Sequence, residues 1–322
     1  LWTYADDSFL PHGTAKDGAA DRQPILLTVG PENPNGAGVR FLGPHSLGVI
    51  RTDLGLNAAC GPDQPPQGRL ALVSESGALC AAMIDWSRSR RVGFSTVIST
   101  GLGADIGLDE ILDFLVHDAA TDSIMLYVEG IQDARRFMSA LRAAARVKPV
   151  VVMKSGRHAE GAGAAAFHTG ALVGADDVFD AAMRRAGVLR VRDLSDFFTA
   201  AATLGAGVRV RGRRLAIVSN AGGPGALAAD HASDRRLQVP RLGDETARQL
   251  QPLVFAGDGH ANPVYVRADI DAAHYSETVR AVLDGPDVDA LLAILSPYAL
   301  TDPASLAGQL TALAECHAKP VF

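Results

Sequence analysis

The chain has 322 residues, 48% of them apolar and 20% charged, with a formal charge of −6 and a pI near 5.8. That composition excludes a wholly disordered polymer and supplies apolar side chains for about two cores, and the acidic balance argues against a nucleic-acid binder, which needs a basic field. Cys60, Cys80 and Cys316 are widely spaced without a Cys-x-x-Cys pair, which argues against a disulfide framework or zinc ribbon and for a reducing cytoplasm, and no apolar run nears the ~20 residues of a membrane span.

Residues 1 to about 40 are rich in Gly, Pro and Asp and read as loop or disorder, with one short strand at 25–29. The start has no basic or apolar leader region, and the missing initiating Met points to a trimmed or partial chain. Residues 61–68, with three prolines, read as an extended linker. From Arg69 the chain alternates short apolar runs with helical spacing. Strands are predicted at 70–73, 94–99, 124–128, 149–153 and 188–191, and helices at 77–90, 108–116, 133–146, 176–186 and 193–204. Such alternation indicates a parallel sheet covered on both faces.

Gly205-Ala206-Gly207 and the alternating arginines to Arg213 read as a hinge, after which the pattern restarts. Strands are predicted at 215–218, 237–239 and 290–295. Helices are predicted at 225–235, 243–253 with Asp244 as cap, 271–283, and 303–317 with Pro303 in its first turn. Residues 320–322 read as the opening of another strand. The domain reading is an irregular N-terminal segment over 1–68, one α/β domain over 69–208 and a similar one over 209–322.

Two turns carry the chemistry. Ser74-Glu75-Ser76-Gly77-Ala78-Leu79 and Asn220-Ala221-Gly222-Gly223-Pro224-Gly225 each link an apolar strand to a helix. A strand that feeds a helix this way leaves unsatisfied N–H groups at the positive end of the helix dipole, which is an anion site. Ser74, Ser76 and Gly77 in the first turn, and Asn220, Gly222, Gly223 and Gly225 in the second, are the candidate phosphate contacts. The second turn is not a P-loop, because Gly-Lys-Ser/Thr is absent. His168, in a stretch of small residues, is a candidate phosphoryl acceptor, since a neutral imidazole nitrogen is nucleophilic. Glu129, at the end of a strand, could take a proton from its far nitrogen. Lys154 and Arg157 could neutralise phosphate. No histidine shows metal-ligand spacing, so no metal site is expected.

These pieces resemble the NDP-forming acyl-CoA synthetases, relatives of succinyl-CoA synthetase. The matching text is Gly43-Pro44-His45-Ser46-Leu47-Gly48, Ser74-Glu75-Ser76-Gly77, Tyr127-Val128-Glu129, Lys154-Ser155-Gly156-Arg157, His168-Thr169-Gly170-Ala171-Leu172, Arg184-Arg185-Ala186-Gly187-Val188 and Ser219-Asn220-Ala221-Gly222-Gly223-Pro224-Gly225. The resemblance implies two flavodoxin-like ligase domains preceded by the remnant of a coenzyme A-binding Rossmann domain. It implies an acid–thiol ligase of the ADP-forming acetate–CoA type that converts acyl-CoA, ADP and phosphate reversibly to carboxylic acid, coenzyme A and ATP. His168 would carry the phosphoryl group, with Glu129 as its partner, and the two glycine-rich helix ends would receive it. Nucleotide and Mg²⁺ would bind an ATP-grasp domain or subunit that this sequence lacks, in a homo- or hetero-oligomer.

Several residues depart from the family pattern. Phe167 stands for a usual Ser, Glu75 for a usual Gln, Tyr265 for a usual Asp, and Gly101-Leu102-Gly103-Ala104-Asp105 for Gly-Asn-x-Ala-Asp. These departures and the missing domains support an alternative, a non-catalytic module sensing acyl-CoA or nucleotide within a lysine acetyltransferase fusion. An FMN-carrying flavodoxin is disfavoured, because 6% aromatic residues leave few rings to stack on a flavin.

Overall fold

The computed structural model describes residues 26–29, 39–61, 63–158, 161, 175–254, 259–298 and 302–322. The chain separates into two compact units, Leu1–Gly207 and Val208–Phe322.

In the first unit the strands are β1 (Leu26–Val29), β2 (Val39–Leu42), β3 (Gly48–Arg51), β4 (Leu56–Ala59), β5 (Gln67–Ser74), β6 (Phe94–Ser99), β7 (Ser123–Val128), β8 (Val150–Lys154) and β9 (Leu189–Val191). The helices are α1 (Gly77–Arg90), α2 (Leu108–His117), α3 (Ala134–Val147), α4 (Asp176–Ala186) and α5 (Leu194–Gly205). Strands β3 to β9 form a seven-stranded sheet in the order β4-β3-β6-β5-β7-β8-β9. Its five strands from β6 to β9 are parallel, in the 2-1-3-4-5 order of flavodoxin-like sheets. The parallel strands β5 to β8 bury both faces, which is why the sequence shows unbroken apolar runs there, whereas the edge strand β9 leaves Leu189 exposed. Ala71, Val73, Ile124, Leu126, Val128 and Val152 pack with α2, α3 and α4 on one face. Leu70, Leu72, Met125, Val151 and Met153 pack with α1 and α5 on the other.

Residues 48–59, which read from the sequence as part of the irregular N-terminal segment, are hydrogen-bonded into this sheet. Strand β3 pairs antiparallel with β6, and β4 pairs antiparallel with β3. Strands β1 and β2 form a separate antiparallel pair. Among the described residues before Gln67 there is no βα unit. The linker is shorter than its prolines imply, because Gln67 and Gly68 already belong to β5. Helix ends follow their caps: the Asp133 carboxylate accepts from Arg135 and Arg136 N–H at 3.0 Å, and Gly187, at φ 78°, closes α4.

The second unit contains β10 (Leu215–Ser219), α6 (Gly222–Asp234), α7 (Asp244–Leu250), β11 (Val264–Tyr265), α8 (Ala272–Asp284), β12 (Ala290–Ile294) and α9 (Pro303–Cys316). Its three-stranded parallel sheet runs β11-β10-β12. Val321 adds a parallel bridge beside Leu291, where the sequence predicts a strand opening. Three expectations need correction. Residues 237–239 make a single bridge, Arg214 to Gln238, and no strand. Helix α6 begins at Gly222, three residues early, because Pro224 fits a first helical turn. The cap of α7 is Gly243; Asp244 is already helical and makes no capping bond.

Strand β11 is too short to pair the whole of β10, and the Asn262 side chain fills the gap. Its Oδ1 accepts from Ile217 N–H at 2.9 Å, and its Nδ2 donates to Leu215 O at 2.9 Å and Pro240 O at 3.0 Å. An alanine there strands buried backbone groups, at about 1–3 kcal/mol. Asn262→Ala is therefore expected to destabilise the second unit by about that amount and to speed hydrogen exchange at the Ile217 amide; unchanged exchange there would contradict this account of the β10 edge.

Candidate functional site

The order of the parallel strands reverses between β5 and β7, and the carboxyl ends of those strands are where such sheets bind ligands. The β5–α1 turn is held to both neighbours: Glu75 N–H donates to Tyr127 O at 3.2 Å and Thr100 N–H to Ser74 O at 2.9 Å. Within the turn, Ser74 Oγ donates to Ser76 O at 2.8 Å and accepts from Ser76 N–H at 3.0 Å. Ser76 is the N-cap of α1, its Oγ accepting from Leu79 N–H at 3.3 Å. A Cβ on Gly77 would lie 3.2 Å from Leu47 Cβ, so the space left by this glycine is taken by the 44–47 loop.

The turn after β10 repeats the same device. Ser219 Oγ donates to Ala221 O at 2.8 Å and accepts from Ala221 N–H at 3.2 Å, and Ala221 is the N-cap of α6. Here no side chain caps the helix, and among the described residues nothing lies within 4 Å of the positions where Gly222 and Gly223 would carry side chains. Their amides form an open helix N-terminus suited to an anion. Asn220 is already committed: its amide donates to Ser296 O at 2.9 Å and its carbonyl oxygen accepts from Ser296 N–H at 2.7 Å. Gly225 is needed for packing, since a Cβ there would lie 2.8 Å from the Tyr265 ring. The Tyr265 hydroxyl donates to Gly222 O at 3.3 Å.

At the first turn the two sheet faces differ in charge. On the α1/α5 face a cavity of about 500 Å³ is lined by Ser76, Tyr127, Lys154, Arg157, Arg192 and Asp193, among others. The Asp193 carboxylate is spent on capping α5. Lys154 is buried, and its Nζ donates to Ser155 O at 3.0 Å and Gly156 O at 3.3 Å. Burial pulls its pKa below the usual lysine range, with Asp176 acting the other way. Its ammonium lies 5.6 Å from the centroid of the Phe179 ring, on the face covered by α4. On the α2/α3 face a cavity of about 130 Å³ is lined by Glu75, Asp105, Asp109, Glu110 and Arg136, among others.

Glu129 follows β7 at the same edge and is half-buried. Glu129 N–H donates to Glu75 Oε2, as does Gly130 N–H at 3.0 Å. Burial pushes the Tyr127 phenol above its usual range, and the charges of Glu129 and Glu75 push the same way. His168 lies outside the described residues. The structure thus brings Ser74, Ser76, Gly77, Glu129, Lys154 and Arg157 to one sheet edge, and Asn220, Gly222, Gly223 and Gly225 to the corresponding edge of the second unit. Arg192 was not singled out from the sequence, and Tyr127 entered only in the family-like text Tyr127-Val128-Glu129, with no role of its own. Arg192 follows the short strand β9, and its place after a predicted strand was the available signal.

Comparison with known proteins follows this geometry. Residues 67–204 match the family model of the succinyl-CoA ligase like flavodoxin domain. Residues 1–59 match that of the DNA polymerase III chi subunit, HolC; much of that stretch lies outside the described residues. The chain is 38% identical over 266 residues to acetate–CoA ligase [ADP-forming] I of Archaeoglobus fulgidus, a match covering 82% of this chain and 38% of that protein. It is 36% identical over 273 residues to the alpha subunit of acetate–CoA ligase [ADP-forming] I of Pyrococcus furiosus, covering 84% of this chain and 58% of that subunit. Among solved structures, the dinucleotide forming acetyl-coenzyme A synthetase 1 of Ca. Korarchaeum cryptofilum, in complex with phosphate and ADP, aligns with a TM-score of 0.82 at 32% identity. That alignment covers 88% of this chain and 62% of the other. The chain therefore spans between 38% and 62% of the length of these relatives.

The two serine-closed turns make a matched pair of predictions. Ser74→Ala and Ser219→Ala each leave a part-buried N–H, that of Ser76 or Ala221, without its partner, while the C=O of the same residue keeps the helical N–H of Cys80 or Gly225, at a cost of about 1 kcal/mol to the unit concerned. Thermal denaturation of each variant is expected to show that loss, and a neutral Ser219→Ala would break the equivalence of the two turns.

Proposed function

Since this chain belongs to the NDP-forming acyl-CoA synthetase family, we propose that it supplies the ligase domains of an ADP-forming acyl-CoA synthetase and carries the phosphoryl group on His168. Phosphate attacks the thioester carbonyl of an acyl-CoA, the coenzyme A thiolate leaves, and an acyl phosphate forms. A ring nitrogen of His168 then attacks phosphorus and releases the carboxylate. Transfer from the phosphohistidine to ADP yields ATP and restores the imidazole. The domains, bounded at 69–208 and 209–322, act with a coenzyme A-binding domain and an ATP-grasp domain or subunit that holds nucleotide and Mg²⁺, in an oligomer in the cytoplasm. The name of the Pyrococcus relative, an alpha subunit, supports a partner subunit. No described helix is long and apolar enough to cross a membrane.

The observation that carries this reading is the edge where Glu129, the capped start of α1 and the cavity lined by Lys154, Arg157 and Arg192 lie together. Glu129 accepts a proton from the far nitrogen of His168, fixing the tautomer whose other nitrogen is the nucleophile. Arg157 and Arg192 balance the phosphate charge in a cleft with apolar walls, where each charge interacts more strongly than in water. Gly222 and Gly223 offer phosphate two backbone amides on the second unit.

Incubating the chain with a matched ATP-grasp subunit, Mg²⁺ and γ-labelled ATP is expected to give an acid-labile label on His168. His168→Ala should abolish it, and Glu129→Gln should slow it by about 10²-fold or more, the scale of losing a positioned proton acceptor. An unlabelled wild-type chain, or a label that survives His168→Ala, would overturn the proposal.

A further inference from the structure

Glu75 takes no part in the phosphoryl steps, and a carboxylate in an anion-binding turn is electrostatically out of place. Its geometry gives it a different task. The side chain turns away from the cation-lined cleft toward the cavity on the α2/α3 face. Its Oε2 accepts two consecutive backbone N–H groups, from Glu129 and Gly130, while its own N–H donates to Tyr127 O at 3.2 Å. Residue 75 is thereby fastened to both sides of the β7 terminus, across the point where strand order reverses.

We propose that Glu75 is the positioning residue for Glu129: its carboxyl holds the consecutive amides of Glu129 and Gly130 and so fixes the backbone that aims the Glu129 side chain. The catalytic consequence rests on the reading of Glu129 as the histidine's partner; the clamp itself does not.

Burial sets the direction of the Glu75 titration, and the groups that face it are these. From β7 come Glu129 and Tyr127, and the shared cavity adds Asp105, Asp109 and Glu110 from the α2 side and Asp133 and Arg136 from the α3 side. Arg136 is paired with Asp109 at 2.8 Å, Asp105 and Glu110 hold Arg40, and Asp133 caps α3. Burial pushes the Glu75 carboxyl up to about 7, the Glu129 charge adds to that, and the two amides act against it. The protonated acid keeps lone pairs for the clamp. Below about pH 7 the clamp is therefore neutral, and above it a carboxylate stands against the amides of Glu129 and Gly130.

Glutamine separates the two roles, since it can accept both amides but cannot titrate. In an amide-resolved NMR titration of the full chain, the Glu129 and Gly130 resonances are expected to shift together with a midpoint of about 7. Glu75→Gln should remove that shift, and Glu129→Gln should keep it at a lower midpoint. Glu75→Leu, which cannot accept, should speed hydrogen exchange at the Gly130 amide at least tenfold. With the ATP-grasp subunit present, the pH profile of labelling should lose its inflection near 7 in Glu75→Gln. A midpoint near the ordinary value of 4.5, or the same titration in Glu75→Gln, would overturn the proposal even if His168 becomes labelled. The expected NMR shifts in a chain that takes no label would sink the phosphohistidine reading and leave the clamp standing.

Discussion

A parallel strand that hands its chain to a helix must account for every backbone group at the crossing, and this requirement shapes both units. The last residue of β5 and of β10 is a serine whose hydroxyl bonds both backbone groups of the residue two positions on. That residue can then take the extended conformation of an N-cap, with φ −99° at Ser76 and −139° at Ala221, and the helix starts at the next residue. The serine oxygens are consequently spent on the turn. What is left for a ligand is the first-turn amides, so the serine side chains are read better as the frame of an anion site than as its donors.

The two helix starts are nonetheless unlike. Ser76 caps α1, and Leu47 covers the Gly77 side of the turn. The positive potential beside α1 comes instead from Arg157 and Arg192, which follow β8 and β9. In the second unit α6 has no side-chain cap and its first two glycines are open. Tyr265, where the family pattern has an acid, sets a phenol in place of a carboxylate against that helix end.

Most of this architecture was legible because a parallel sheet buried on both faces writes itself as short apolar runs. Residues 77–90 and 94–99 read from the sequence as the elements later found there. Strands β3 and β4 escaped because each has only four residues, too few to establish a period, and their place is fixed by long-range pairing to β6. The two residues of β11 escaped for the same reason, with the Asn262 side chain standing in for a ladder that no periodicity could announce. At the site, residue types were legible and commitments were not. Asn220 and Ser74 read as ligands because nothing in the text reveals the partners, Ser296 and Ser76, that occupy them.

Glu75 shows how topology can reverse the meaning of a residue. In the linear text it sits between Ser74 and Ser76 and ought to repel any anion bound to their turn. Successive side chains of extended backbone point to opposite faces. Ser76 accordingly looks into the cation-lined cleft while Glu75 looks into the acidic one. The carboxyl lines the other cavity and is held by the amides of the segment that bears Glu129. A residue that weakens the anion reading in one dimension becomes, in three, the group that orders the site's own acid, and the strand alternation that made the sheet readable is what separates the two charges.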